Sequence, residues 1–244
     1  MKAQLGGPVV RWPFRRRRPT CSVPGMSHNA RIGPARALLG AVLVLSVAPE
    51  LPSAPASADV CSQTRPPLDA ASREVGRGDM LWISHTGSVG VTIPAGTGVI
   101  QVPNAGPLPL QALLIDAQQN GQRQLIVSNG RGANLYLVSG CNITPAIDQS
   151  GQPFVFDMEN LRGTGTGVGC VDLGDGRHLV GLQAQPGPTG WAVRRTQIDF
   201  DGTTAKLGRA DTVAAASAQD PAVTEAQTIT CGEQTITKDG VQQP

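Results

Sequence analysis

The fold class is decided by one stretch of sequence, Leu114-Ile-Asp-Ala-Gln-Gln-Asn-Gly-Gln-Arg-Gln-Leu-Ile-Val127. Two short apolar runs, at residues 114–115 and 125–127, flank a polar loop that contains Asn120-Gly121. Asn-Gly adopts the backbone conformation of a tight hairpin turn at little steric cost. Because these apolar runs are short and bounded by turn residues, they are typical of strands rather than helices. The stretch therefore predicts a β-hairpin.

The same pattern continues in both directions along the chain. Asn-Gly, Asp-Gly and Ser-Gly dipeptides separate short apolar runs as far as the C-terminus. Only residues 210–218 have a helix-friendly composition, and they lack a periodic apolar face. We therefore expect an all-β chain, with strands near residues 80–83, 89–93, 99–102, 112–115, 124–127, 134–138, 154–156, 169–171, 179–182, 191–193, 196–200, 227–231 and 235–237.

One internal similarity indicates how these strands are grouped. Cys170-Val-Asp-Leu-Gly-Asp-Gly-Arg-His-Leu179 repeats the apolar–Asp–polar loop–Gly pattern, and Asp172 follows Asp116 by 56 residues. Such a period fits a unit that is one small antiparallel sheet, as in a propeller blade. Residues 59–244 hold about three such units, so the sequence predicts short antiparallel strands in three blade-like repeats. A partial propeller, a compact barrel and a sandwich all remain open.

The two loops resemble the FG-GAP or VCBS-type repeat of integrin-like propellers, as found in exported actinobacterial proteins. In that family the loop reads Asp-x-Asp-x-Asp-Gly-x-x-Asp-Leu, and its carboxylates bind calcium. The resemblance implies that Asp116 and Asn120 occupy the first and fifth positions of one loop. It also implies that Asp172 and Asp175 are what remains of the other.

Other positions of the two loops depart from the family pattern. Gln118 and Gln124 replace acids in the first loop, and His178 stands where the second loop should carry one. Calcium takes six or more oxygen ligands and is held more tightly as the number of carboxylates increases. We therefore expect degenerate calcium loops and no cofactor. Each leading Asp is predicted to accept hydrogen bonds from its own backbone turn.

The N-terminal region has the features of a signal peptide. Residues 37–48 form a short apolar run preceded by Arg31 and Arg36, and Ala56-Ser-Ala58 matches a signal peptidase site. Because a membrane-spanning helix needs about 20 apolar residues, the run is too short to be one. We expect residues 1–58 to be the signal peptide region, with translation starting at Met26 and cleavage after Ala58. Residues 59–244 then form a single exported domain without a membrane span.

The charge balance changes when this leader is set aside. Eight of the 20 Lys and Arg residues, and one of the 18 acidic residues, lie before residue 59. The remainder has 12 basic and 17 acidic residues, a net charge of −5. A basic surface of the kind that binds nucleic acid is therefore not expected.

Four cysteines, Cys61, Cys141, Cys170 and Cys231, fall in the predicted domain. Export makes disulfides the default state, and four cysteines allow three pairings. Cys141 and Cys170 are the closest in sequence, so we expect them to pair and Cys61 to pair with Cys231.

No catalytic motif is present, and no catalytic residue is assigned. The leading hypothesis is a secreted binding or structural module of the cell envelope or extracellular space, with an unidentified protein or envelope ligand. The alternative is a cell-envelope hydrolase in which Asp157 or Asp199 works with His85 or His178. A pocket that joins a histidine to a carboxylate of shifted ionisation favours the enzyme.

Overall fold

The computed structural model describes residues 61–76, 78–102, 108–158 and 165–244. They belong to one unit of dense internal contacts. The predicted signal peptide, with Met26 and Ala58, lies outside the described residues. None of the helices in the described part is long and apolar enough to cross a membrane.

The first sheet is a four-stranded antiparallel meander in chain order. Trp82 packs flat against Gly90 on the neighbouring strand, where a Cβ would lie 2.2 Å from the indole ring. Trp82 is therefore a buried packing residue. The strands are β1 (Ala71–Glu74), β2 (Met80–Ile83), β3 (Ser88–Ile93) and β4 (Gly96–Gln101).

The second sheet repeats this meander and gains a strand at its first edge and another beside its third strand. Its four consecutive strands are β5 (Gln111–Ile115), β6 (Arg123–Ser128), β7 (Gly132–Ser139) and β8 (Asn142–Pro145). A short strand, β9 (Val155–Asp157), pairs with β7. The C-terminal strand, β16 (Val241–Gln242), pairs with β5.

The third sheet is the longest meander, and the C-terminal segment follows it. Its strands are β10 (Gly165–Asp172), β11 (Arg177–Gly187), β12 (Gly190–Asp201) and β13 (Thr204–Ala215). The segment then forms α1 (Pro221–Glu225), the hairpin β14 (Thr230–Cys231) and β15 (Gln234–Thr235), and α2 (Ile236–Asp239) before β16. The all-β class and the three antiparallel units are confirmed, and the sheets are open rather than closed into a barrel.

The second sheet lies between two apolar clusters, which explains its continuous apolar runs. On β5, Leu113 and Ile115 belong to the cluster that contains Leu179 and Ile198 of the third sheet. Ala112 and Leu114 point the other way, into the cluster that contains Leu81 and Val91 of the first sheet. Both faces of the second sheet are therefore buried, so no polar alternation is needed along its strands.

The C-terminal segment runs along the first strand of each sheet. Val168 on β10 donates its amide to the carbonyl oxygen of Thr228 at 2.9 Å, and Val241 pairs with Ala112 on β5. Arg73 on β1 donates to the carbonyl oxygen of Lys238. A Cβ on Gly167 would lie 2.6 Å from the Thr228 carbonyl oxygen, so only glycine allows this close approach.

The predicted disulfide pairing is wrong, although all four cysteines are bonded. The bonds are Cys61–Cys141, with Cα atoms 5.7 Å apart, and Cys170–Cys231, with Cα atoms 4.6 Å apart. Cys141 lies in the turn after β7 in the second sheet, whereas Cys170 lies on β10 in the third. Proximity in sequence therefore did not decide the pairing. Each bond instead joins segments that the sheets bring together.

Candidate functional site

One cleft of the described residues lies where hairpin turns from all three sheets meet. Its volume is 680 Å³, and it is lined by residues of the β1–β2, β5–β6, β7–β8 and β12–β13 turns. The β14–β15 hairpin contributes Gln234. Strand direction reverses at every turn, so the first and third turns of each meander lie at the same end of its sheet. The cleft is thus a product of the meander topology.

An ion pair fixes one wall of this cleft. Asp79, only 7% exposed, accepts a hydrogen bond from Arg123 at the start of β6. The pair joins the first turn of the first sheet to the second sheet. Burying a carboxylate without a partner costs free energy. The ion pair with Arg123 offsets this cost and allows Asp79 to stay buried.

The first Asp loop forms another part of the cleft wall. Asp116 accepts hydrogen bonds from the amides of Asn120, at 3.1 Å, and Gly121, at 2.8 Å. Gly121 has a φ of +87°, the left-handed conformation that glycine adopts without strain. The Asn120 side chain in turn accepts from the amide of Gln122 at 2.9 Å. The predicted Asp-closed turn is confirmed.

Gln124 explains one departure of this loop from the calcium-binding pattern. Its side chain is fully buried, accepts from the amide of Ala117 at 3.0 Å and donates to the carbonyl oxygen of Gln122 at 2.8 Å. An amide can donate and accept at the same time, which an ionised carboxylate cannot. Gln124 therefore closes the loop from within.

The second Asp loop is closed in the same way. Asp172 accepts from the amides of Gly174, at 2.6 Å, and Gly176, at 3.2 Å. Asp175 points elsewhere, to His178 and Arg209. Asp116 accepts through both carboxylate oxygens, whereas Asp172 accepts both hydrogen bonds through Oδ1. No group of three or more His, Cys, Asp or Glu residues is arranged to hold a metal among the described residues.

Arg177 connects the two Asp loops. It follows the second loop in sequence, and its Nε and Nη2 donate to the carbonyl oxygens of Ala117 and Asp116 in the first loop, both at 2.9 Å. The same Nη2 lies 3.3 Å from the Sγ of Cys231. One guanidinium thereby joins the second sheet, the third sheet and the β14 strand.

A separate polar network lies on the third sheet and the β10–β11 turn. His178 Nε2 lies 2.7 Å from Asp175 Oδ1, and Arg209 donates both to Asp175 and, at 3.0 Å, to Gln197. Gln197 then donates to Asp199 at 2.6 Å. The hydrogen bond with His178, and then the charge of Arg209, hold the pKa of Asp175 below its ordinary value. His178 Nδ1 is buried and has no hydrogen-bond partner among the residues that the structure describes.

The hydrolase pairs suggested by the sequence are not formed as expected. The imidazole of His178 bonds to Asp175, and Asp199 bonds to Gln197 instead. Asp157 lies on β9, and His85 is an exposed residue just after β2. Neither His178 nor Asp175 lines the 680 Å³ cleft.

Sequence reasoning missed the residues that shape the cleft. Asp79, Arg123 and Arg177 act across sheets, and no local pattern marks such partners. The one available signal was the repeat itself, because equivalent loops of consecutive sheets lie side by side in blade-like architectures.

Comparison with known proteins adds no family: no protein-family model matches the chain, and a search of curated proteins finds no match.

Proposed function

We propose that the chain is an exported β-repeat binding module of the cell envelope or extracellular space, and that its ligand occupies the 680 Å³ cleft. The proposal rests on one observation: turns of all three sheets together form this cleft. Binding residues are commonly placed on loops that a rigid scaffold positions. Concave sites with a few convergent polar groups are the usual form of ligand pockets.

The cleft lining indicates the chemistry of the ligand. Hydroxyl groups of Ser139, Thr144 and Thr203 and amides of Gln122 and Gln234 line it, together with the neutralised Asp79–Arg123 pair. A polar ligand with several hydrogen-bonding groups and little net charge suits this surface. None of the described residues that line the cleft is aromatic.

The FG-GAP-like repeat is part of the same proposal. Asp116 and Asp172 each close the first turn of a meander, in consecutive sheets. Equivalent closure at equivalent turns supports a common repeat unit. The two disulfides support a location in an oxidising compartment, which agrees with export by the predicted signal peptide.

Binding to the cell envelope tests the proposal with matched variants. The insoluble envelope fraction of cells that produce the chain is incubated with purified, oxidised protein, and the co-sedimented fraction is measured. Gln122→Trp and Gln234→Trp place bulk in the cleft from exposed positions, so we expect roughly tenfold weaker binding. Gln185→Trp, exposed on β11 outside the cleft, is the control and should bind like the wild type.

Two results would count against the binding module. Equal co-sedimentation of wild type and both cleft variants would place the ligand elsewhere. Release of soluble fragments from the envelope fraction, abolished by His178→Ala, would favour the hydrolase alternative built on the His178–Asp175 contact.

A further inference from the structure

The two disulfides have different surroundings. Cys170–Cys231 joins β10 to β14, with Cys231 buried and Cys170 partly exposed. The guanidinium of Arg177 donates to the Sγ of Cys231 at 3.3 Å. Within the described ranges, no side chain hydrogen-bonds either sulfur of Cys61–Cys141. Among the described residues, Cys170–Cys231 is thus the disulfide with a charged hydrogen-bond donor at one of its sulfur atoms.

Arg177 is held in place before any chemistry occurs. Its Nε donates to the carbonyl oxygen of Ala117, and its Nη2 donates to that of Asp116, both at 2.9 Å. The guanidinium cannot swing away without losing these bonds. A donor already aimed at the sulfur needs no reorganisation when negative charge appears there.

Thiol–disulfide exchange is faster when the leaving sulfur is better stabilised as a thiolate. A neighbouring arginine provides such stabilisation. We propose that Cys170–Cys231 is a thiol-exchange site that takes small thiols of the glutathione class, with Cys170 as the attacked residue and Cys231 as the leaving one. The burial of the two cysteines agrees with this order, because an incoming thiol reaches the partly exposed Cys170 before the buried Cys231.

The step balances without any further reactant. The thiol loses its proton to solvent, and the resulting thiolate forms a bond to the Sγ of Cys170. The Cys170–Cys231 bond breaks, and its electron pair leaves on the Sγ of Cys231 beside the Arg177 guanidinium. The product is a mixed disulfide at Cys170, and return attack by the Cys231 thiolate restores the original bond.

Thiol exchange at Cys170–Cys231 also affects the cleft through Arg177, and this consequence rests on the proposed function. The two carbonyl groups held by Arg177 belong to the first Asp loop, and Asp116 lines the cleft. The same Nη2 donates to the Asp116 carbonyl and to the Cys231 sulfur, so a negative charge on that sulfur acts directly on the group that holds this part of the cleft wall. Opening the bond therefore changes the hydrogen bonding of one wall of the proposed binding site.

The exchange site can be tested without any cleft ligand, by identifying which disulfide opens first and which of its cysteines receives the incoming thiol. Free thiols of the purified, oxidised chain are first blocked with N-ethylmaleimide. Reduced glutathione is then added, the reaction is stopped with acid, and newly exposed thiols are alkylated before peptide mass mapping. We expect Cys170–Cys231 to open first, with glutathione on Cys170 and the alkyl group on Cys231. Initial opening of Cys61–Cys141, or glutathione on Cys231, would overturn the proposal.

Two substitutions at position 177 separate charge from packing. Arg177→Gln removes the charge, and we expect the opening rate of Cys170–Cys231 to fall by about threefold to tenfold. Arg177→Lys keeps a cation and should retain most of the rate. A merely structural role predicts the opposite, because a loosened loop exposes the bond and accelerates its opening in Arg177→Gln. The opening rate of Cys61–Cys141 in each variant is the internal control.

Discussion

The second and third sheets are the same four-stranded meander in different surroundings. Residues 124–128 of β6 are all buried because the second sheet has an apolar cluster on each face. The third sheet buries one face against the cluster that contains Leu179 and Ile198, but only part of the other. That other face carries a buried apolar cluster with residues of α1, around Val180 and Val193, and the polar network around Asp175 and Arg209. Identical topology thus yields a core sheet in one place and a surface carrying titratable groups in the other.

The largest expected effects lie in the second sheet. Leu125 and Ile126 are neighbours on β6 that face opposite clusters. Because both are fully buried, Leu125→Ala and Ile126→Ala should each lower the free energy of unfolding by about 2–5 kcal/mol in urea titrations. Two neighbours on β11 should differ from each other. Leu182 is buried, so Leu182→Ala should lower the free energy of unfolding, whereas Gln183→Ala, at an exposed position, should change it by no more than about 0.5 kcal/mol. Two small effects on β6 would contradict the two-sided burial.

A glycine substitution probes the packing of the third sheet. A Cβ on Gly167 would lie 2.6 Å from the carbonyl oxygen of Thr228, whereas one on Gly181 would have no neighbour closer than 3.8 Å. Because the Thr228 carbonyl is a backbone group that cannot move aside easily, Gly167→Ala should destabilise by about 1–3 kcal/mol, as overpacking does. Gly181→Ala is the control and should be nearly neutral. Thermal unfolding of both variants checks this, and equal melting temperatures would refute the predicted crowding.

Acid should weaken the third sheet in particular. The pKa of Asp175 is lowered by its hydrogen bond with His178, and that of Asp211 by its hydrogen bond from Arg195. A lowered folded pKa means that the stabilisation is present above the unfolded value of about 3.9 and is lost as pH falls through the folded value.

Melting temperatures between about pH 2 and pH 7 measure this effect. In the wild type, the melting temperature should fall as the pH decreases, and Asp211→Asn and Asp175→Asn should each make this fall smaller. The stability of these variants relative to wild type should be lowest at neutral pH and recover in acid. Unchanged pH profiles would show that the ion pairs contribute nothing measurable.

The smallest effect is expected at the outer edge of the third sheet. Leu207 on β13 is 68% exposed, so its side chain gains little from burial in the folded state. Leu207→Ser should change stability by less than about 0.5 kcal/mol. A larger loss of unfolding free energy, measured by chemical denaturation, would show that another surface covers Leu207 in solution.

Many strand positions could be predicted from local sequence, but β1, β8, β13 and β16 were missed, and residues 236–237, expected to be a strand, begin α2. Turn dipeptides such as Asn120-Gly121 end each run, and strand pairing across short turns needs no long-range information. The segment at residues 210–218 shows the limit. Its composition suits a helix, yet most of it lies on β13, because pairing with β12 overrides a weak local preference.

The candidate site was less accessible to prediction. The repeat located Asp116 and Asp172 and correctly indicated turns closed by their side chains. The disulfide pairing failed because loop-closure entropy varies slowly with loop length and so cannot choose between the possible pairs. The cleft itself was not predicted, since the Asp79–Arg123 contact joins residues 44 positions apart in different sheets.

Sequence alone determined that this chain folds as short antiparallel strands in three consecutive units, because turn chemistry and apolar runs act over a few residues. Tertiary structure decided which sheet lies between the others, which cysteines meet and where Arg177 points. Those outcomes depend on distances between segments far apart in the chain, and packing of whole sheets sets such distances.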